Sequence, residues 1–326
     1  MAGEVIFHIP EHIRRNFSRR TKKHFYKRLW NDLTACGVGV RILNYEDRHY
    51  RRIDPGDGNL HFVNNGNLSH PNVLNTAIAY LDRFWQVDAQ GVLCDSSISD
   101  QTFDPKRIDG AQSWAFFQTL RRDYADARQS RYHQPKDVAQ ITPGAIAVFL
   151  QGDSHLTDRA RRWSTPQMIR SVAKGAGGRP IVVKPHPLKV APEDILAVHD
   201  LAASGVDISL SEANVHDILT HASATVSIGS ACSFEGFLHK KPAILYGRSD
   251  FHHFAENITD LGDFAAAYDQ AMTRKRGYSR YVYWFLHERC IWTLGRDFFA
   301  KVSDRMVAQG FDPVVVGART VSSAAP

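Results

Sequence analysis

Three groups of polar side chains stand where apolar, β-branched runs stop. Residues 181–190 read I-V-V-K-P-H-P-L-K-V, and the run ends in Lys184, His186 and Lys189. Residues 225–235 read T-V-S-I-G-S-A-C-S-F-E, ending at Gly229-Ser230 with Ser233 and Glu235 just beyond. Residues 145–154 read A-I-A-V-F-L-Q-G-D-S and end at Gln151, Gly152 and Asp153. Such short runs suit buried parallel strands, and open α/β sheets bind ligands at the carboxyl ends of their strands. The chemistry on offer is that of phosphate and of carboxylate. His186 can present a ring N–H to a phosphate oxygen, with charge added by Lys184 and Lys189. Pro185 and Pro187 stiffen this loop and remove backbone donors. Ser230 precedes a predicted helix, where it either caps the free N–H groups or joins them in holding an anion. Glu235 either accepts bonds from ribose hydroxyls or complements the helix dipole. Asp153 can serve as base or nucleophile toward an anomeric carbon; a turn or capping role explains an Asp there equally well.

The elements that must position these residues alternate regularly in the second half. Strands are predicted over 145–150, 180–184, 206–210, 224–228 and 242–246. Helices are predicted over 165–174, 192–203, 215–221, 232–239 and 260–272. Repeated βα units with short links imply a parallel sheet covered on both faces. The first half is less regular, with strands expected over 5–9, 38–43 and 60–63 and helices over 18–36, 71–85 and 111–129. The 18–36 helix would carry Arg19, Arg20, Lys22, Lys23, Lys27 and Arg28 on one face, either simply solvated or offered to an anionic membrane or charged acceptor. Residues 278–307 read as helical with a break near Gly295, and the chain from Gly317 on as frayed.

Composition sets the bounds. The 326 residues suggest about two domains. A net charge of +6, from 40 Lys+Arg and 34 Asp+Glu, suits a phosphorylated ligand but does not by itself argue for nucleic acid. The start of the chain lacks the pattern of a signal peptide, and no apolar run approaches the roughly 18 residues of a spanning helix. Cys36, Cys94, Cys232 and Cys290 form no CxxC pair, so reduced thiols and a cytoplasmic setting are expected, with no metal site. Absence of G-x-G-x-x-G and of G-x-x-x-x-G-K-[ST] argues against a dinucleotide enzyme or P-loop NTPase. Absence of D-x-D removes the usual carboxylate pair for a metal-bridged nucleotide sugar.

The order Q-x-D-S at Gln151, K-P-H-P at Lys184, then S-x-x-x-x-E at Ser230 ahead of K-K-P-A-I-L-Y-G at Lys240 resembles the bacterial capsule polysaccharide biosynthesis and export family. The resemblance spans about 146–252, and a Y-L…W…D-x-x-G stretch from Tyr80 to Gly91 adds to it. Gly229-Ser230-Ala231 stands where the family pattern has N-S-T, and the Gln-to-Asp spacing is shorter. The resemblance implies an α/β, GT-B-like fold: two Rossmann-like domains facing a cleft, with C-terminal helices packing back. The expected division is an acceptor-side domain over 1–144, a nucleotide-sugar domain over 145–275, and helices and tail over 276–326. It implies a metal-independent glycosyltransferase that moves an acidic sugar, Kdo, from a CMP-sugar donor to a glycan or glycolipid acceptor. No cofactor is implied beyond the CMP-sugar substrate. By the same resemblance Asp153 is the catalytic carboxylate, and Gln151, His186, Pro187, Ser230 and Glu235 hold the nucleotide. From their place at the strand ends, Lys184 and Ser233 are expected to join the nucleotide site, and His186 to act in catalysis by stabilising the departing phosphate. Peripheral contact with the anionic inner membrane is an expected partner interaction, and nucleic acid is not. Open alternatives are a UDP-sugar GT-B enzyme or 2-epimerase, and a non-catalytic capsule assembly or export partner.

Overall fold

The computed structural model describes residues 3–21, 24–152 and 154–323. They form twelve strands: β1 (Val5–Ile9), β2 (Val40–Asn44), β3 (Leu60–Asn64), β4 (Val73–Ile78), β5 (Phe84–Asp88), β6 (Ile146–Phe149), β7 (Ile181–Lys184), β8 (Ile208–Leu210), β9 (Ala224–Ser227), β10 (Ala243–Leu245), β11 (Glu256–Asn257) and β12 (Ile291–Trp292). The chain divides into two compact units. One runs to Ala79, takes in Arg83–Ile98 and resumes at Leu286; the other comprises Tyr80–Asp82 and Ser99–Phe285. Residues 99–144, expected in the first domain, thus lie in the second unit, and both ends of the chain build the first.

The first unit holds a six-stranded sheet in the order β12-β5-β4-β3-β1-β2. β2, β1, β3 and β4 run parallel, while β5 and β12 pair antiparallel. Phe7, Phe62 and Leu74 face the helix Phe25–Ala35, whose Phe25, Leu29 and Leu33 are fully buried at the expected four-residue spacing. Gly37 ends that helix in the left-handed region (φ 81), where glycine carries no Cβ penalty. The helix Phe298–Ala308 packs on the same core through Phe298, Val302 and Met306.

Several expectations for the first half fail for physical reasons. Residues 71–85 form β4, a turn and the start of β5 rather than a helix. Pro71 imitates a helix start, but V-L-N-T-A-I is a doubly buried strand without polar alternation. Its Asn75 and Thr76 are fully buried yet satisfied: the Asn75 amide donates to the Leu68 carbonyl at 2.9 Å, and Thr76 Oγ1 meets the Tyr26 hydroxyl at 2.5 Å. The basic helix begins only at Phe25, and its basic face is not simply solvated. Lys27 lies over the Trp30 ring at 4.3 Å, and Arg28 donates to the Thr293 carbonyl at 2.5 Å. Lys22 and Lys23 lie outside the described residues. In the tail, the run from Tyr278 gives a short helix, a π-helical turn Tyr283–Arg289 and then β12. The chain past Gly317 belongs to a helix, Pro313–Ser323.

The second unit holds a wholly parallel sheet in the order β11-β10-β9-β6-β7-β8. Its helices fall close to the expected bounds; Pro192–Ala203 and Val215–His221 match them residue for residue. Ala147, Phe149 and Val182 pack under Val215, Ile218 and Leu219.

Candidate functional site

β6 lies between β7 and β9, with Phe149 opposite Lys184 and Val148 opposite Val226. The chain proceeds from β6 to β7 and β8 on one side, then crosses to β9 on the other. Loops leaving β6 and β9 therefore diverge, which opens the kind of crevice where α/β sheets take ligands. Gln151 spans that point: its side-chain oxygen accepts the Gly229 N–H at 2.6 Å. Gly152 is backed by Lys189, whose side chain a Cβ at this position would strike. Asp153 lies outside the described residues. Just beyond it, Ser154 caps the helix His155–Ala160 by accepting the Thr157 N–H at 3.2 Å.

His186 is half-buried and oriented by its own loop. Its Nδ1 accepts the Leu188 N–H at 3.2 Å, so the neutral ring carries its hydrogen on Nε2. Burial first, then Lys189 and Arg131, keeps the imidazole below its ordinary pKa. The result is a neutral N–H donor at pH 7, the species expected to meet a phosphate oxygen. Pro187 beside it is exposed.

Lys184 has a different occupation. It is buried, and its Nζ donates to the carbonyls of Ala213 at 2.7 Å and Glu212 at 3.2 Å. Burial lowers its pKa, while the fields of Cys232 and Glu212 act the other way. Lys184 thus ties the end of β7 to the loop after β8.

Ser230 caps the helix Ala231–Leu238 by accepting the Cys232 N–H at 3.2 Å, and its own N–H donates to Ser227 Oγ at 3.0 Å. The two residues beyond it turn inward. Ser233 Oγ meets Ser227 Oγ at 2.8 Å, and the Glu235 carboxylate accepts the Ser130 hydroxyl at 2.7 Å. Burial pushes the Glu235 pKa up to about 8, with the Ser130 bond opposing. His216 Nε2 lies 3.7 Å from this carboxyl but donates to the Gln129 carbonyl at 2.8 Å. Burial keeps His216 neutral as well, so the two do not form an ion pair.

Sequence reasoning missed the segment from Arg128 to Ala139, which straps the carboxyl edge. Arg128 pairs with Asp217 through two bonds of 2.9 and 2.7 Å, and Asn214 donates to the Pro135 carbonyl at 3.1 Å. Gln134 accepts the Val215 N–H at 3.0 Å, while Ser130 is held on Glu235. Between these anchors Tyr132 meets His186 edge to face at 5.1 Å, with the Arg131 guanidinium 5.6 Å from the Tyr132 ring centre. The one signal was an aromatic residue, Tyr132, within a basic run, Arg128 to Lys136, that continues past the end of the helix expected over 111–129. Together the His186 donor, the exposed Arg131 cation and the helix start after Ser230 make an edge suited to anions.

This architecture is GT-B-like: two α/β units, each with its own largely parallel sheet. Among solved structures, the Thermosulfurimonas dismutans KpsC beta Kdo 2,4 transferase is similar to it at a TM-score of 0.50 and 13% identity, covering 86% of this chain and 89% of that one. The beta Kdo 2,7 transferase of the same organism's KpsC gives a TM-score of 0.49 at 14% identity, covering 86% and 88%. At such identities the likeness concerns the fold alone. No curated protein matches the chain by sequence. The sequence profile of the family described as capsule polysaccharide biosynthesis protein matches residues 107–280, and the chain belongs to that family.

Proposed function

We propose that this chain is a glycosyltransferase of capsular or surface polysaccharide synthesis that transfers an acidic sugar, Kdo, from CMP-Kdo to a glycan or glycolipid. The observation that carries the reading is the carboxyl edge of the second sheet. There Gln151 joins the loops after β6 and β9, and His186 holds a neutral Nε2–H beside the Arg131–Tyr132 strap. The choice of sugar follows the beta Kdo 2,4 transferase whose fold this chain resembles.

In this reading His186 donates to the CMP phosphate, and the positive end of the helix that Ser230 caps adds its field. The departing CMP gains negative charge, and fixed donors aimed at that charge lower the barrier. Arg131 supplies a cation for the donor's second anion, the sugar carboxylate. Lys184 and Gln151 act from behind by fixing the loops. Asp153 is the proposed base or nucleophile. Acceptor binding is assigned to the first unit. Neither a metal nor a cofactor is part of the proposal.

The test is thermal unfolding with CMP, UDP, GDP and ADP in parallel, repeated on His186→Ala. A ligand at a hundredfold excess over its dissociation constant stabilises by about 2.7 kcal/mol. A shift with CMP alone, lost in the variant, is the expected outcome. A shift with UDP instead would replace CMP-Kdo by a UDP-sugar, and no shift with any nucleotide would sink the enzyme reading.

A further inference from the structure

The second unit gathers cations at the edge of its sheet opposite His186. The helix Ala231–Leu238 leaves the carboxyl end of β9 and runs back to the amino end of β10, so its last residues stand at that other edge. There His239, Lys240 and Lys241 follow one another. The helix Gly110–Leu120 meets them, with Trp114, Phe117 and the next residue beyond its end, Arg121, spaced to share one face. Trp114 is 47% exposed, its ring lies along that of Phe117 at 6.1 Å, and the Lys240 ammonium stands 5.5 Å from its centre. Burial first, then His216, Arg121 and Lys241, hold the His239 pKa down at about 3, which puts Arg121 and Lys241 beside that ring.

These cations have no counterion. Arg121, Lys240 and Lys241 form no ion pair among the described residues, and Arg121 Nε is buried with no hydrogen-bond partner among them. Lys241 is half-buried, which lowers its pKa, and no carboxylate acts the other way. Arg122 next to them is already paired with Asp123 at 2.9 Å. A cation at a helix C-terminus complements the dipole, which accounts for one exposed Lys. It does not account for three like charges with a guanidinium nitrogen left bare, because unpaired buried charge is costly. Two backbone features also depart from the ordinary. Lys240 adopts φ 57 in the closing turn where the Lys241 N–H donates to the Gly236 carbonyl at 2.9 Å, a place that ordinarily takes glycine. Arg121 opens a π-helical turn, Arg121–Asp126, a rare form that concentrates at functional sites. A non-glycine residue held in the left-handed region is characteristic of ligand clamps.

We propose that this amino edge of the second sheet is a binding site for a phosphate monoester, its oxygens held by Arg121, Lys240 and Lys241 and its carbon part laid on the exposed Trp114 ring. Three cations select a phosphate over a carboxylate: a monoester carries nearly two negative charges at pH 7, whereas one Arg alone satisfies a carboxylate. His239 forms the floor and stays neutral. His216 Nε2 donates to the Gln129 carbonyl, so His216 Nδ1 is a lone pair, and His239 Nε2 donates to it across 3.0 Å. The monoester can arrive on a free metabolite or as a lipid headgroup; the group recognised is the same. The site lies apart from the His186 edge and does not rest on the transferase reading.

The experiment follows tryptophan fluorescence of the full chain at pH 7, with Trp114→Phe to identify the Trp114 signal. The probes are glucose 6-phosphate, glucose, glucuronate, and phosphatidylcholine vesicles with and without phosphatidic acid. Expected is a saturable response to glucose 6-phosphate or to the phosphatidic acid vesicles. It should weaken about tenfold or more in Arg121→Gln and in Lys240→Gly, as loss of a charge-assisted hydrogen bond does. Lys240→Gly also relieves the left-handed backbone, so it should unfold no earlier than the wild type while binding less; a variant as stable that binds as before overturns the proposal. Binding should be unchanged in His186→Ala and in Lys174→Gln. Loss in His186→Ala would move the anion to the other edge, and an equal loss in Lys174→Gln would reduce the site to diffuse charge; either overturns it. So does an equal response to glucose or glucuronate, or no response to either phosphate source. A response to glucose 6-phosphate assigns a free metabolite, and one to phosphatidic acid vesicles alone assigns a headgroup.

Discussion

The two sheets are built alike and equipped differently. Each begins with a central strand, β1 or β6, from which the chain winds first to one side and then to the other. At the β6/β9 point the working groups lie on loops after the strands: Gln151, His186, Ser230 and the Arg128–Ala139 strap. At the β1/β3 point the buried polar groups lie inside the strands, as the His8–His61 pair backed by Asp57. Groups on loops are set by backbone hydrogen bonds and can be traded without disturbing the core. Groups inside strands are set by packing and by the tautomers of their neighbours. In the proposed reading the second unit holds an anion through donors, while the His8–His61 pair is fixed within the core of the first.

The largest effect separating the two edges is expected at Asp153. Asp153→Asn should lower sugar transfer roughly 10²–10⁴-fold, the range for loss of a positioned acid or base, while the CMP-induced thermal shift stays. Retained transfer would return that carboxylate to a turn role. Next comes His186→Ala. A hydrogen bond to a charged group contributes about 1.5–3 kcal/mol, so calorimetry should show CMP binding weakened roughly tenfold or more. Sugar binding at the first unit should not change; a loss there would break the division of labour.

Gln151→Ala is the third. It frees the part-buried Gly229 N–H and should cost about 1–3 kcal/mol in unfolding free energy, with CMP affinity falling too. Gln151→Glu keeps an acceptor and should recover most of the stability. If Gln151→Ala unfolds like the wild type, the bridge between β6 and β9 does not organise the edge.

The last effect, read on stability alone, is a pair of opposite pH slopes. Glu235 has its pKa raised to about 8 by burial, with the Ser130 bond opposing. The folded state therefore keeps a proton that the unfolded chain releases near its ordinary value. Stability from this group is full below the unfolded pKa and falls as pH rises toward 8. His8 is lowered to about 3 by burial and then by His61, His49 and Arg41. The unfolded chain takes up a proton that the folded one refuses, so stability falls as pH drops from about 6.5 toward 3. Denaturant unfolding across pH 3–8 should be flattened on the alkaline side by Glu235→Gln and on the acid side by His8→Gln. A single variant that flattens both sides would contradict the separate origins.

The second unit was largely legible because its local signals agree. Pro192 with Glu193 and Asp194 starts a helix, Asn214 caps the next, and Gly229-Ser230 stops β9 and opens another. The first unit was less legible. β4 lies between two strands and is buried on both faces, which erased its period of two and let Pro71 pass for a helix start. Lys27 and Arg28 read as solvated cations because sequence spacing cannot show the Trp30 ring or the Thr293 carbonyl.

For the site, the sequence by itself determined which of the described groups stand at strand ends: Gln151, Lys184, His186 and Ser230. It also determined the family, since the order of those motifs is a property of the chain. Only the tertiary structure decided what each group faces. Lys184 spends its donors on two carbonyls, Glu235 turns to Ser130, and residues 128–139 cross the edge where no motif placed them. The His8–His61 contact was invisible for the same reason. One His within V-I-F-H-I carries no signal until β3 pairs beside β1 and brings His61, from 53 residues away, to 2.9 Å. Hydrogen bonds and burial between distant segments set which nitrogen carries a proton, and no local pattern encodes them.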